Sequence, residues 1–246
     1  MPPSTPSPQT ALITGAARRI GRVIAAGLAR DGWNIAVHYR NSKDEAAHLV
    51  SELRAMGVQS QSFHASLEKF DEMRSLVANV AQVMGPPLCL INNASEFLPD
   101  SPKTVDETTW DKHLDINLKA PVFLAQAMFD QLPKGSDGNI INIIDQRVWK
   151  LTPEFFSYTI SKAGLWTATR TLAQALAPRI RVNAIAPGPV FRSIHQDDET
   201  FRAEQVSTLL GRGPTPEEIA AAVRFILSAS SMTGQMIALD GGQHLC

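Results

Sequence analysis

Seven short strand-like runs, most of them apolar, alternate with amphipathic helical patterns along almost the whole chain, and this alternation restricts the fold more than any other feature. The runs are Ala11-Leu12-Ile13, Asn34–His38, Gln59–His64, Leu88-Cys89-Leu90-Ile91, Asn139–Ile144, Arg181–Ile185 and Met236–Leu239. Between them the spacing predicts helices over about 18–30, 43–56, 69–84, 110–131, 155–177 and 216–228. A strand apolar on both faces must be covered on both faces. A helical crossover returns the chain to the same end of the sheet, so such strands run parallel. The expected class is α/β: a single doubly wound domain with a mostly parallel seven-stranded sheet and helices on both faces. No repeat or linker divides residues 10–246. Residues 1–9, with four prolines, read as a disordered lead-in, and the irregular stretch 187–214 reads as a substrate lid.

A chain of 246 residues can bury roughly three quarters of the surface its unfolded form exposes, without disulfide or metal staples. A formal net charge of −1 gives no electrostatic case for nucleic acid or an anionic membrane. No apolar stretch approaches the ~20 residues a bilayer demands, and the N-terminus lacks the basic start and apolar core of a signal peptide. Cys89 sits within an apolar run, and neither it nor Cys246 belongs to a paired motif, which fits a reducing, cytoplasmic setting. The six histidines show no metal-ligand spacing, so no metal is expected.

The first run ends in Thr14-Gly15-Ala16-Ala17-Arg18-Arg19-Ile20-Gly21, and a helix follows at once. Gly15 permits a tight turn and Gly21 close packing, while the helix start offers free N–H groups of Arg19 and Ile20 to a phosphate. The pattern could be a plain strand–helix connection, but its place directly after the first strand of an alternating chain favours the phosphate turn of a Rossmann-like, dinucleotide-binding domain. The second strand runs into Tyr39-Arg40-Asn41-Ser42. A carboxylate at this point would accept hydrogen bonds from a ribose 2′-OH; a cation and a hydroxyl instead suit a 2′-phosphate, so NADPH is the expected cofactor.

Tyr158 and Lys162 stand four residues apart near the start of a predicted helix, so both can face one cleft. Bringing a tyrosine from its free value near 10 to near 7 requires roughly 4 kcal/mol of selective phenolate stabilisation. A neighbouring lysine ammonium and the nicotinamide's positive charge, in a partly desolvated cleft, are expected to supply it.

With these motifs, Asn92-Asn93-Ala94, Ala186-Pro187-Gly188 and Asp240-Gly241-Gly242, the chain resembles the short-chain dehydrogenases/reductases over about residues 9–243. The resemblance implies Tyr158 as general acid, Lys162 on the nicotinamide ribose and Asn117 holding a water in the proton relay. It also implies that Asn92, Asn93, Ala94 and Ser95 line the cofactor cleft, with Asn92 bracing the sheet, and that Pro187, Gly188 and Val190 border the nicotinamide. In this family the two long helices form dimer faces within a tetramer, so a homotetramer or homodimer is expected. Ala120, Ala125, Ala163, Gly164 and Ala168 suit such faces, and suit a core equally well.

Three positions depart from the family pattern. Arg19 replaces the middle glycine of the turn, Asp145 replaces the serine thirteen residues before the tyrosine, and Ser66 replaces the aspartate that contacts adenine. Arg19 and Asp145, together with Asn93-Ala94-Ser95-Glu96-Phe97, resemble the pteridine reductases and related dihydromonapterin/dihydrofolate reductases. That resemblance implies that Arg19 reaches cofactor phosphate and substrate, that Phe97 stacks the pterin with Ser95 nearby, and that Asp145 works with Tyr158 in proton delivery. An ionised Asp145 would raise the phenol's pKa, so it is useful chiefly as a proton carrier or as a partner for substrate N–H groups. Dihydropterin reduction is therefore the leading expectation. A general NADPH-dependent carbonyl reductase or alcohol dehydrogenase and a catalytically inactive NADPH-binding regulator are the alternatives.

Overall fold

A computed structural model describes residues 9–246; the proline-rich lead-in lies outside the described residues. Strands β1 (Thr10–Ile13), β2 (Asn34–Tyr39), β3 (Ser60–His64), β4 (Cys89–Asn92), β5 (Gly138–Ile143), β6 (Ile180–Pro187) and β7 (Met236–Leu239) form one sheet. Its order is β3-β2-β1-β4-β5-β6-β7, and every neighbouring pair is parallel. Successive residues of a strand face opposite sides, and β1 shows why its run is uniformly apolar. Ala11 and Ile13 enter one core, with helices α1 (Arg19–Arg30), α2 (Lys43–Ala55) and α8 (Pro216–Ser228). Leu12 enters the other, with α3 (Phe70–Met84) and α5 (Ala120–Gln131). Strand order reverses between β1 and β4, and a crevice opens there at the carboxyl ends of the strands.

Two segments differ from the helical pattern. The predicted helix over 110–131 begins earlier, as α4 (Glu107–Leu114), and passes through a π turn at Asp115–Lys119 before α5. The extra residue in that turn carries Asn117, and such bulges concentrate at functional sites. The irregular stretch 187–214 contains a helix, α7 (Asp198–Val206), capped by Asp197, whose side chain accepts the Thr200 N–H. None of its residues is buried, so no apolar periodicity announced it. The long helix α6 (Phe156–Leu176) follows Phe155, which sits in the left-handed region at φ 54°. Ala120 and Ala125 point into the core, while Ala163, Gly164 and Ala168 are half-buried.

Candidate active site

A cleft of about 520 Å³ lies over the strand ends. At one end is the glycine turn, where Gly15 adopts φ 61°. A Cβ at Gly21 would stand 2.6 Å from both the Asn93 amide nitrogen and the Gly15 carbonyl oxygen, so only glycine fits. Gly21 itself therefore lies behind the cleft wall. The turn is fastened from several sides. Asn93 Nδ2 donates to the carbonyls of Thr14 (2.8 Å) and Gly15 (3.2 Å), and Thr14 Oγ1 accepts the N–H groups of Asn93 and Ala94. Gly15 N–H donates to His38 Nδ1 at 3.0 Å, and His38 Nε2 donates to Ala65 O at 3.1 Å. Both ring nitrogens are thus committed in the neutral form, and burial pushes the imidazole pKa down to about 4.

Arg19 adopts a left-handed backbone, at φ 53°. Its guanidinium crosses to the 187–214 stretch, donating to Arg192 O (3.1 Å) and Phe191 O (3.4 Å), with the Phe191 ring beneath it. Ile20, Tyr39, Arg40, Asn41 and Ser42 line the same end. Arg40 is held between Glu68 (3.0 Å) and Glu96 (3.3 Å), both exposed enough to yield to a stronger anion. The first-turn N–H groups of α1 lack intrahelical acceptors and face this end of the cleft.

In the middle of the cleft, Tyr158 donates its hydroxyl proton to Asp145 Oδ2 at 2.9 Å, while Asp145 Oδ1 accepts the Arg147 N–H. Lys162, 2% exposed, donates to Ile143 O at 2.9 Å, with its ammonium 5.6 Å from the Tyr158 ring centre. Burial brings Lys162 down to about 8, against a rise from Asp145. Loss of water raises Asp145 above the usual carboxylate range. Tyr158 is driven well above the ordinary phenol value, first by burial and then by Asp145. The lysine-acidified phenol expected from the spacing is corrected here: among the protein's own groups it is Arg147 and Ser95 that lower the pKa, and burial with Asp145 outweighs them. Phe97 stands edge-on to Tyr158 at 4.7 Å and is stacked on Phe155 at 4.1 Å, and Arg147 covers the far face of Phe155. Pro187, Gly188 and Val190 complete the wall.

A family model described as Enoyl-(Acyl carrier protein) reductase matches residues 15–244. The chain belongs to the short-chain dehydrogenase/reductase family. It is 35% identical to the 3-oxoacyl-[acyl-carrier-protein] reductase FabG of Staphylococcus epidermidis, over 96% of this chain and 99% of that protein. Among solved structures it is similar to FolM Alternative dihydrofolate reductase 1 from Brucella suis in complex with NADP, at 48% identity and TM-score 0.94, covering 97% of this chain and 96% of that one. A blue fluorescent protein from a metagenomic library, in complex with NADPH, is 31% identical with TM-score 0.89, covering 96% and 97% of the two chains.

Three other expected site residues of this short-chain dehydrogenase/reductase stand off the cleft wall with Gly21. Asn92 points into the sheet, where its amide donates to Asn142 and Asn142 donates to Thr169. Ser66 gives its N–H to Glu72 at the start of α3, and its neighbour Leu67 faces the cleft instead. Asn117 is fully buried. Its Oδ1 accepts the Ser95 hydroxyl and the Glu96 N–H, and its Nδ2 donates to Glu96 O and Ser161 Oγ. It thus holds the loop carrying Ser95, Glu96 and Phe97 against α6, with its polar atoms occupied.

Several contributors carried no motif. His113, fully buried, accepts the Leu98 N–H at Nε2, so its Nδ1 donates to Ser157 Oγ at 2.6 Å, and Ser157 in turn donates to Asp100. This chain joins the Phe97 loop to the first turn of α6, directly before Tyr158. Gln146, Gln196, Glu204 and Gln243 also line the cleft. Among the described residues no cluster of three His, Cys, Asp or Glu side chains could hold a metal, and no helix is long and apolar enough to cross a membrane.

Proposed function

We propose that this protein is an NADPH-dependent reductase of a pterin-type C=N bond in a dihydropterin or dihydrofolate-like substrate. The observation that carries the reading is the hydrogen bond from Tyr158 to Asp145, a carboxyl group with raised proton affinity at the position the family gives to serine. The glycine turn, the start of α1 and Arg40 fit a dinucleotide with a 2′-phosphate; Glu68 and Glu96 hold the arginine beside the place that phosphate would take. The structures of FolM with NADP support the same cofactor. Bound NADPH supplies the hydride.

The chain's own groups handle the proton. A phenol with so high a pKa is a weak acid, so Tyr158 holds its hydrogen and passes it only as Asp145 replaces it. Asp145 takes up a proton more readily than an ordinary carboxylate and lies open to the cleft. Protonated, it delivers to a ring nitrogen through Tyr158; ionised, it accepts from ring N–H donors. Lys162 orients the ribose side of the cleft. Phe97, backed by Phe155 and Arg147, presents a flat surface suited to a planar heterocycle.

FabG-like relatives at 35% identity favour one competing reading, a general carbonyl reductase. The assay that separates them is NADPH oxidation with dihydrobiopterin, dihydromonapterin and dihydrofolate against a panel of ketones. Turnover of the pterins, lost by about a hundredfold in Asp145→Ser with any ketone activity retained, is the expected result. Ketone turnover without pterin turnover refutes the proposal.

A further inference from the structure

Helix α6, which carries Tyr158 and Lys162, is capped from another segment. Its own N-cap, Phe155, sits at φ 54° and makes no side-chain cap, and no acidic residue occupies the first turn. The acceptors come from Asp100, at the far end of the loop that carries Phe97. The Asp100 main-chain oxygen accepts the Phe155 N–H at 2.9 Å, and its carboxylate accepts both the N–H and the hydroxyl of Ser157. An anion at a helix start satisfies free N–H groups and meets the positive end of the dipole. Here that anion ties the start of α6 to the Phe97 loop.

From Ser157 the bonds return to the same loop. With its proton committed to Asp100, Ser157 Oγ accepts His113 Nδ1–H at 2.6 Å, and His113 Nε2 accepts the Leu98 N–H at 3.0 Å. Leu98 lies two residues before Asp100, so the bonds close a ring: Leu98, His113, Ser157, Asp100. His113 and Ser157 are fully buried and Asp100 is 9% exposed, which shields the ring from competing water. Accepting the Leu98 N–H requires an unprotonated Nε2, and burial, against the pull of Asp100 and Glu96, holds the imidazole below its ordinary value. Asn117 anchors the loop on the near side of Phe97, at Ser95 and Glu96, and the ring anchors it on the far side. The Tyr158 ring in turn meets Phe97 at 4.7 Å and His113 at 5.8 Å, both edge-on.

We propose that Asp100, Ser157 and His113 are positioning residues that fix the Phe97 ring in register with the Tyr158 hydroxyl. None of the three lines the cleft. Phe97 and Tyr158 reach it from segments distant in the chain, and reaction of one bound ring needs both at set distances. Cutting the ring of bonds leaves Phe97 anchored on one side only, while the glycine turn and Arg40 are untouched. The proposal rests on the reading of Phe97 and Tyr158 as substrate-facing groups; the coupling between loop and helix does not depend on which substrate is bound.

The test cuts the ring at Ser157 and reads the result at Leu98, which forms its own bond to His113. In Ser157→Ala the Leu98 amide is expected to exchange with deuterium at least about tenfold faster than in the wild type, while the Gly15 amide of the cofactor turn keeps its rate. With NADPH and dihydrobiopterin, kcat should fall about tenfold, KM for the pterin should stay within about threefold, and the NADPH dissociation constant from fluorescence titration should not change. Asp100→Asn retains an oxygen that can accept from Ser157, so both kcat and Leu98 exchange should stay within about threefold of the wild type. A Leu98 amide or a kcat indifferent to Ser157→Ala overturns the proposal, as does an equal loss in Asp100→Asn. If no pterin is reduced, the proposed function fails, kcat is read on the ketone turned over fastest, and the exchange measurement stands unaltered. If Ser157→Ala does not fold, the wild type decides: the Leu98 and Ser157 amides should share one protection factor, and a difference above about tenfold overturns the ring as a unit.

Discussion

Arg19 donates to the main-chain oxygen of Arg192 at 3.1 Å while its own backbone sits at φ 53°, so one residue both carries strain and ties down the 187–214 stretch. A left-handed conformation costs a non-glycine residue about 1–2 kcal/mol. Arg19→Ala and Arg19→Gly both remove the guanidinium, but only the glycine relieves the backbone. The glycine variant is expected to exceed the alanine variant by about 1 kcal/mol in denaturant unfolding, and both are expected to bind NADPH more weakly than wild type by isothermal titration. Equal stabilities would contradict the strain.

Asp145 has a raised pKa in the folded protein, so its contribution to stability is complete below the unfolded carboxylate value and is lost as pH rises through the folded one. In Asp145→Asn this dependence is absent. Stability of the variant relative to wild type is therefore expected to improve steadily from pH 4 to pH 7, measured by urea unfolding at each pH. A difference independent of pH would show that the carboxyl group titrates normally.

His38 behaves in the opposite sense. Its pKa falls from 6.5 to about 4 on folding, so its stabilising contribution is present above 6.5 and lost as pH drops through 4. The full loss corresponds to roughly 3 kcal/mol. Protonation also removes the acceptor for the Gly15 N–H, so cofactor affinity of the folded protein should fall as pH drops through about 4. His38→Asn keeps an oxygen near the Nδ1 position; its acid transition is expected to lie at lower pH, without the fall in NADPH affinity that the wild type shows as pH drops through about 4. An unchanged acid midpoint would exclude His38 as the sensitive group.

Much of the architecture was readable because most strands are apolar on both faces and separated by amphipathic helices, the polar edge strand β3 being the exception. The glycine turn and the Tyr158/Lys162 spacing were legible as well, since each depends on residues close in the chain. The π turn escaped notice because no residue type marks it and the pattern on either side remains helical. Asp100, His113 and Ser157 meet only through tertiary folding, as do Glu204 and Gln243, and no short motif records such a meeting. The direction of the Tyr158 shift was misjudged because spacing places the ammonium correctly yet says nothing of how much water the phenol loses.

The lid helix α7 buries none of its side chains, so its seating relies on polar ties such as those of Glu204 to Gln196 and Gln243. Swinging it outward would expose little apolar surface and break few bonds, each replaceable by water. Displacing this helix is thus inexpensive, and the seven-stranded sheet need not move with it.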